Sequence, residues 1–114
     1  MKGKIFVSKF WTNLFSLGKA EAITIFPLIF LRHQRLKENK ILINHERIHL
    51  LQAIELLVFP FYVWYMLEFL IRYLYYKDFD NAYRNISFER EAYENQYNEN
   101  YLKRRKPWSF WKYL

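Results

Sequence analysis

No cysteine occurs among the 114 residues, which excludes disulfides, thiolate metal ligands and thiol nucleophiles together. Any metal must therefore be held by imidazole and carboxylate, and the supply is short, with three histidines and eleven acidic residues. Glycine is nearly as scarce, at two residues, and there is no Gly-rich phosphate loop, zinc-finger spacing or RNA-binding sheet motif. Nucleic acid is accordingly not the expected partner. No repeat or low-complexity linker interrupts the chain, so residues 1–114 read as one domain, long enough to bury a core. The basic opening lacks an A-x-A-like cleavage site, and Lys9, Thr12, Asn13 and Ser16 break its apolar part. No cleavable signal peptide is expected, and the location this implies is cytoplasmic or peripheral to the inner membrane.

What the chain does have is aromatic and basic. Aromatics make up 22% of it, and the formal charge is +7. That pairing suits a partner that is anionic and has an apolar layer, as a membrane surface does. The same charge would equally keep an aromatic-rich protein in solution. Near the end, Lys103, Arg104, Arg105 and Lys106 precede Trp108, Phe110, Trp111 and Tyr113. Such a segment can attract anionic lipid and set aromatic rings at headgroup level, or it can fold back to cap the core.

Taken in order, residues 1–19 are expected to form a retained or membrane-resting helix ended by Gly18. Residues 22–32, rich in β-branched and aromatic side chains, read as an edge strand or as two strands split at Pro27. His33 begins a polar connection beside Arg32 and Arg35, whose charges disfavour a nearby cation. A helix over residues 40–59 starts at an Asn39 cap, and Pro60 is expected to break it. Residues 61–76 form a second helix, apolar nearly all round, with Glu68 and Arg72 paired across one turn. Glu55, Glu68, Arg72 and Pro60 argue against a membrane span over residues 54–76, and a transmembrane hairpin is the alternative. Residues 77–85 look turn-like, and Ser87 is the expected cap of a helix over residues 88–105. The expected fold is mainly α (α+β), a compact helical bundle with one short edge strand or hairpin beside the helix that follows Asn39.

That helix carries the chemistry. His45-Glu46-Arg47-Ile48-His49 reads H-E-x-x-H, and a spacing of four residues projects both imidazoles from one helical face. Two such rings can chelate one Zn²⁺, and Glu46 lies beside that face, placed to take a proton from water polarised by the ion.

His45, Glu46 and His49 match the active-site motif of the zincin metallopeptidases. The later Ser87-Phe88-Glu89-Arg90-Glu91-Ala92-Tyr93 resembles the E-x-x-A segment that supplies a third, carboxylate ligand in the gluzincin branch. Residues 44–101 also resemble small bacterial proteins carrying an H-E-R-I-H and a later S-F-E-R-E-A-Y motif. The resemblance implies a minimal zincin-like domain that acts on a peptide or protein substrate. Zinc would be held by His45, His49 and Glu89, with Glu46 as general base and Glu91 as reserve ligand. The same resemblance implies an edge strand along the motif helix that pairs with extended substrate. Relatives with E-x-x-A often continue with Asp where this chain has Tyr93, which leaves the partner of a ligand histidine without a candidate. Tyr83, Arg90, Tyr93 and Tyr97 are the candidates for stabilising an oxyanion. Two other readings stand beside the peptidase: a non-catalytic zinc-stabilised domain, and a basic aromatic membrane-binding protein.

Overall fold

A computed structural model describes residues 3–114. The chain is mainly helical with a small sheet, as the pattern of the sequence suggests. Three strands, β1 (Lys4–Val7), β2 (Ala22–Ile25) and β3 (Leu28–Leu31), form a sheet of order β1-β3-β2. β2 and β3 are an antiparallel hairpin turned at Phe26 and Pro27, and β1 runs parallel to β3 with Lys4 opposite Leu28. Proline thus sits in the turn, where no ladder hydrogen bond is asked of it. β1 corrects the expected N-terminal helix, because only Lys9–Ser16 is helical there (α1); residues 1 and 2 lie outside the described residues. The Ser8 hydroxyl caps α1 by accepting from the Trp11 amide at 3.1 Å, and Gly18, at φ 73°, closes it by donating to the Asn13 carbonyl.

A 3-10 turn, Gln34–Glu38, leads into α2 (Lys40–Glu55), which Asn39 caps through its side chain on the Leu42 amide at 3.0 Å. One side of α2 packs on the sheet, where Ile43 and Leu50 join Ala22, Ile29, Leu31 and Leu36. Its last turn enters a second cluster, in which Ala53 and Leu56 meet Phe61, Ile86, Phe88 and Phe110. Phe26 packs against both clusters.

α2 ends earlier than the sequence suggests. Leu57 and Val58 have φ of 61° and 66°, and after them α3 (Phe59–Tyr76) departs at 113°. Pro60 does not break a helix here; it occupies the first turn of α3, where its missing N–H costs nothing. Among the described residues no single helix is long and apolar enough to cross a membrane, and α2 and α3 reach that length and apolarity only together, as a sharply bent pair.

The turn-like stretch after α3 is also helical, as α4 (Phe79–Arg84), because the Asp78 side chain accepts from the Asn81 amide at 3.0 Å. α5 (Ser87–Asn95) is much shorter than the expected helix over residues 88–105, and α6 (Tyr101–Arg104) is separate from it. Between them lies Gln96-Tyr97-Asn98-Glu99-Asn100, whose asparagines favour turns over helix. Ser87 is not the cap of α5. It is the first helical residue, and Glu68 of α3 does the capping, accepting from the Ser87 amide at 2.6 Å and from its hydroxyl at 2.7 Å.

Candidate metal centre

α5 packs across α2 through Phe88, Glu89, Glu91 and Tyr93, which meet Gln52, His49 and His45, and Ala92 beside them is small and fully buried. Asn44, just before the motif, fastens the crossing: its side-chain amide donates to the carbonyls of Gln96 at 2.9 Å and Asn98 at 3.1 Å, just beyond the end of α5. This crossing sets the Glu89 carboxylate against both imidazoles. Glu89 Oε1 lies 3.0 Å from His45 Nε2, Glu89 Oε2 lies 3.1 Å from His49 Nε2, and the two nitrogens are 3.2 Å apart. All three side chains are buried, and their donor atoms lie within 4.8 Å of one another. His45, His49 and Glu89 together can hold a metal ion.

The outer nitrogens determine which atoms face that point. His49 Nδ1 is 2.8 Å from Gln52 Oε1, while Gln52 Nε2 donates to the Phe88 carbonyl and to Glu91 Oε1, each at 3.0 Å. Both of those partners only accept, so the Gln52 amide has one possible orientation, and its oxygen must accept from His49 Nδ1–H. In a neutral ring this leaves the Nε2 lone pair directed at Glu89 and His45. His45 Nδ1 lies 2.8 Å from Gln96 Oε1 in the same relation. Two glutamines therefore fill the supporting role for which the sequence offers no candidate. One signal was there to read, since Gln52 follows His49 by three positions on the same helix.

Charge at the centre follows from burial and proximity. Burial alone would favour a neutral His49, but the charge and hydrogen bond of Glu89, with the charge of Glu46, raise its pKa to about 9. Burial likewise opposes the Glu89 carboxylate, yet His49 and His45 hold its pKa well below the usual carboxylate range. The centre thus keeps positive charge between imidazole and carboxylate, in the place where three lone pairs can serve a cation instead. Tyr65 donates to Glu89 Oε2 at 2.6 Å, and burial together with the Glu89 charge holds its phenol well above its ordinary pKa.

Glu46 is buried beside this group. The Thr24 hydroxyl of β2 lies 2.8 Å from Glu46 Oε1, and the Glu46 charge bears on His49, Tyr65, Tyr83 and Tyr93. Comparison of the chain with protein-family models, with curated proteins and with solved structures finds no match.

The remaining candidates divide by position. Tyr93 lies edge-on to His45, ring centroids 4.6 Å apart, and Tyr83 lies edge-on to Tyr93 at 6.4 Å. Arg90 is turned away, donating to the Tyr113 carbonyl and to Asn85 Oδ1, and Tyr97 is 70% exposed. Arg90, Tyr93, Gln96 and Tyr97 line an open cleft of about 500 Å³, whose inner wall reaches His45 through Tyr93 and Gln96. Glu91 points to the far side of α5, where Gln52, Tyr101 and Arg105 hold it, so Glu89 and not Glu91 faces the imidazoles. His33 begins the 3-10 turn and is not among the ligand group.

Arg105 corrects the expectation of four exposed basic residues in the tail. Its side chain is only 2% exposed and forks onto Glu55, at 2.7 and 3.0 Å, and onto Glu91. Lys103, Arg104 and Lys106 are exposed, as are Trp108 and Trp111.

Proposed function

We propose that the chain is a zinc-dependent metallopeptidase of minimal zincin-like build. The observation that carries this reading is the convergence of His45, His49 and Glu89 on one buried point, with a fourth buried side chain, Glu46, beside it. A set of two nitrogens and one carboxylate without any thiol is the donor chemistry of catalytic zinc sites. When bound, zinc would supply Lewis acidity, lowering the pKa of water and polarising a peptide carbonyl. Gln52 and Gln96 orient the two imidazoles, and Tyr65 holds one carboxylate oxygen of Glu89. In this reading Glu46 is the general base that receives the proton of the attacking water and passes it to the leaving amine. The Thr24 hydroxyl supports Glu46 from β2. Tyr93 and Tyr83, neutral phenols beside His45 and Glu89, are the candidates to donate to a developing oxyanion.

A second reading rests on the closure of the site. All four polar side chains are nearly buried, and the Tyr62 hydroxyl occupies the outer edge of β2, accepting from the Phe26 amide at 2.9 Å and lying 3.2 Å from the Thr24 carbonyl. The same ligands would then staple α2 to α5 without turnover.

Metal analysis of the purified protein and mass-spectrometric detection of cleavage in a mixed peptide pool decide between them. The peptidase should carry about one zinc per chain, and Glu46→Gln should keep the metal while lowering cleavage by about a hundredfold or more. Stoichiometric zinc without cleavage by the parent protein supports the staple. Protein free of metal retires both readings, leaving the basic aromatic membrane-binding protein.

A further inference from the structure

We propose that the outward face of α3, together with the C-terminal segment beside it, docks on the surface of an anionic lipid bilayer. Of the eighteen residues of α3 only Phe61 and Glu68 are buried. Phe59, Val63, Leu67, Leu70 and Leu74 recur at helical spacing along the opposite side, with Phe59 74% and Leu74 76% exposed. A helix of this length presents a stripe about 27 Å long.

The fold joins that stripe to the tail. Leu114 helps to line an apolar groove of about 730 Å³ whose other walls include Phe59, Val63, Leu67 and Ile71 of α3. The Trp111 ring lies 6.0 Å from Trp64, so the last residues run along the edge of the helix. Lys103, Arg104, Lys106 and Lys112 are exposed in this segment, and none of them enters an ion pair among the described residues. Apolar rings beside unpaired cations match the boundary between acyl chains and anionic headgroups. A second copy fits less well, because pairing this face with itself would bring the basic tails of two +7 chains together. Among the described residues no single helix is long and apolar enough to cross a bilayer, and an exposed apolar stripe along one side of α3 suits a helix lying on the surface. The surface is independent of the metal centre, and its test needs no activity.

The experiment is flotation of the full-length, zinc-supplemented protein with vesicles of phosphatidylcholine alone or mixed with phosphatidylglycerol. The parent should partition onto the mixed vesicles at least about tenfold better than onto the neutral ones, and salt should weaken the binding. Two variants, Leu67→Asn with Ile71→Asn, and Lys103→Gln with Arg104→Gln and Lys106→Gln, should each lose about tenfold or more while keeping the parent circular dichroism. Quenching of parent tryptophan emission by brominated anionic lipid should accompany binding, and this readout does not depend on how the variants fold. Equal partition of parent and both variants, absence of quenching, or a concentration-dependent dimer abolished by the Leu67 and Ile71 changes without vesicle binding would overturn the proposal.

Discussion

Gln52 is the residue on which the orientation of His49 turns. Its amide spans three partners, accepting from the imidazole and donating to Glu91 and the Phe88 carbonyl. Gln52→Ala removes the acceptor that holds the ring, and zinc affinity measured by competition with a chromophoric chelator should fall about 10- to 100-fold. Arg105 tests a different effect. It is the shared counter-ion of Glu55 and Glu91, and Arg105→Ala leaves two carboxylates without their cation in a mostly buried setting. Breaking a buried pair costs about 3–5 kcal/mol, so the melting temperature should drop by on the order of 10 °C or more, well beyond the effect of Arg104→Ala at the exposed neighbour. At this scale the motif was legible, since four residues on a helix put His45 and His49 on one face wherever that helix lies. Glu89 was legible only through its resemblance to a known pattern. The roles of Gln96 and Arg105 were not, because each depends on a partner fifty or so positions away.

Among the elements, the corner between α2 and α3 carries the backbone strain. Val58 has φ 66° and ψ −71°, and the Phe59 amide closes a γ-turn on the Leu57 carbonyl at 2.8 Å. A β-branched residue is poorly suited to that region, which glycine enters freely. Val58→Gly should therefore leave the melting temperature unchanged or raise it, relief of about 1 kcal/mol offsetting the lost side chain, whereas the same substitution at Val63 in the middle of α3 should lower it. Tyr62 is the element-level test of the peptidase reading. Tyr62→Phe frees the Thr24 carbonyl and the Phe26 amide at the outer edge of β2, where an extended peptide would pair. Cleavage of the mixed peptides should rise severalfold, and stability should fall by about 1 kcal/mol for the lost hydrogen bonds. Unchanged cleavage would place the substrate elsewhere, the cleft beside Tyr93 and Gln96 being the other approach. The hairpin at Pro27 and the Asn39 cap followed from local chemistry. The ends of α2 and α5 did not: Leu57 and Val58 take positive φ where the sequence has no glycine to signal it, and the Gln96 and Asn98 carbonyls are captured by Asn44 from across the fold.

For the whole molecule, α2 is the strut through both core clusters, and α5 is clamped onto it by Glu89 at the centre and by the Gln52–Glu91–Arg105 group on the other side. Removing metal should loosen the first clamp. A chelator is expected to lower the melting temperature of the parent, by the equivalent of about 2.7 kcal/mol where free zinc had stood at a hundred times its Kd, and to leave Glu89→Ala nearly unaffected. The amino-acid sequence alone determined the donor set, through the lack of thiols and the helical spacing of two histidines, and it determined a mainly helical chain with a hairpin, through periodicity, caps and one proline. Only the tertiary structure decided which carboxylate meets the imidazoles, which of four consecutive cations is buried, and that α3 leaves one face outward beside the tail. Helical period and capping act within a few residues of each other, whereas those outcomes depend on how separate helices cross, and side-chain contacts far apart in the chain determine that.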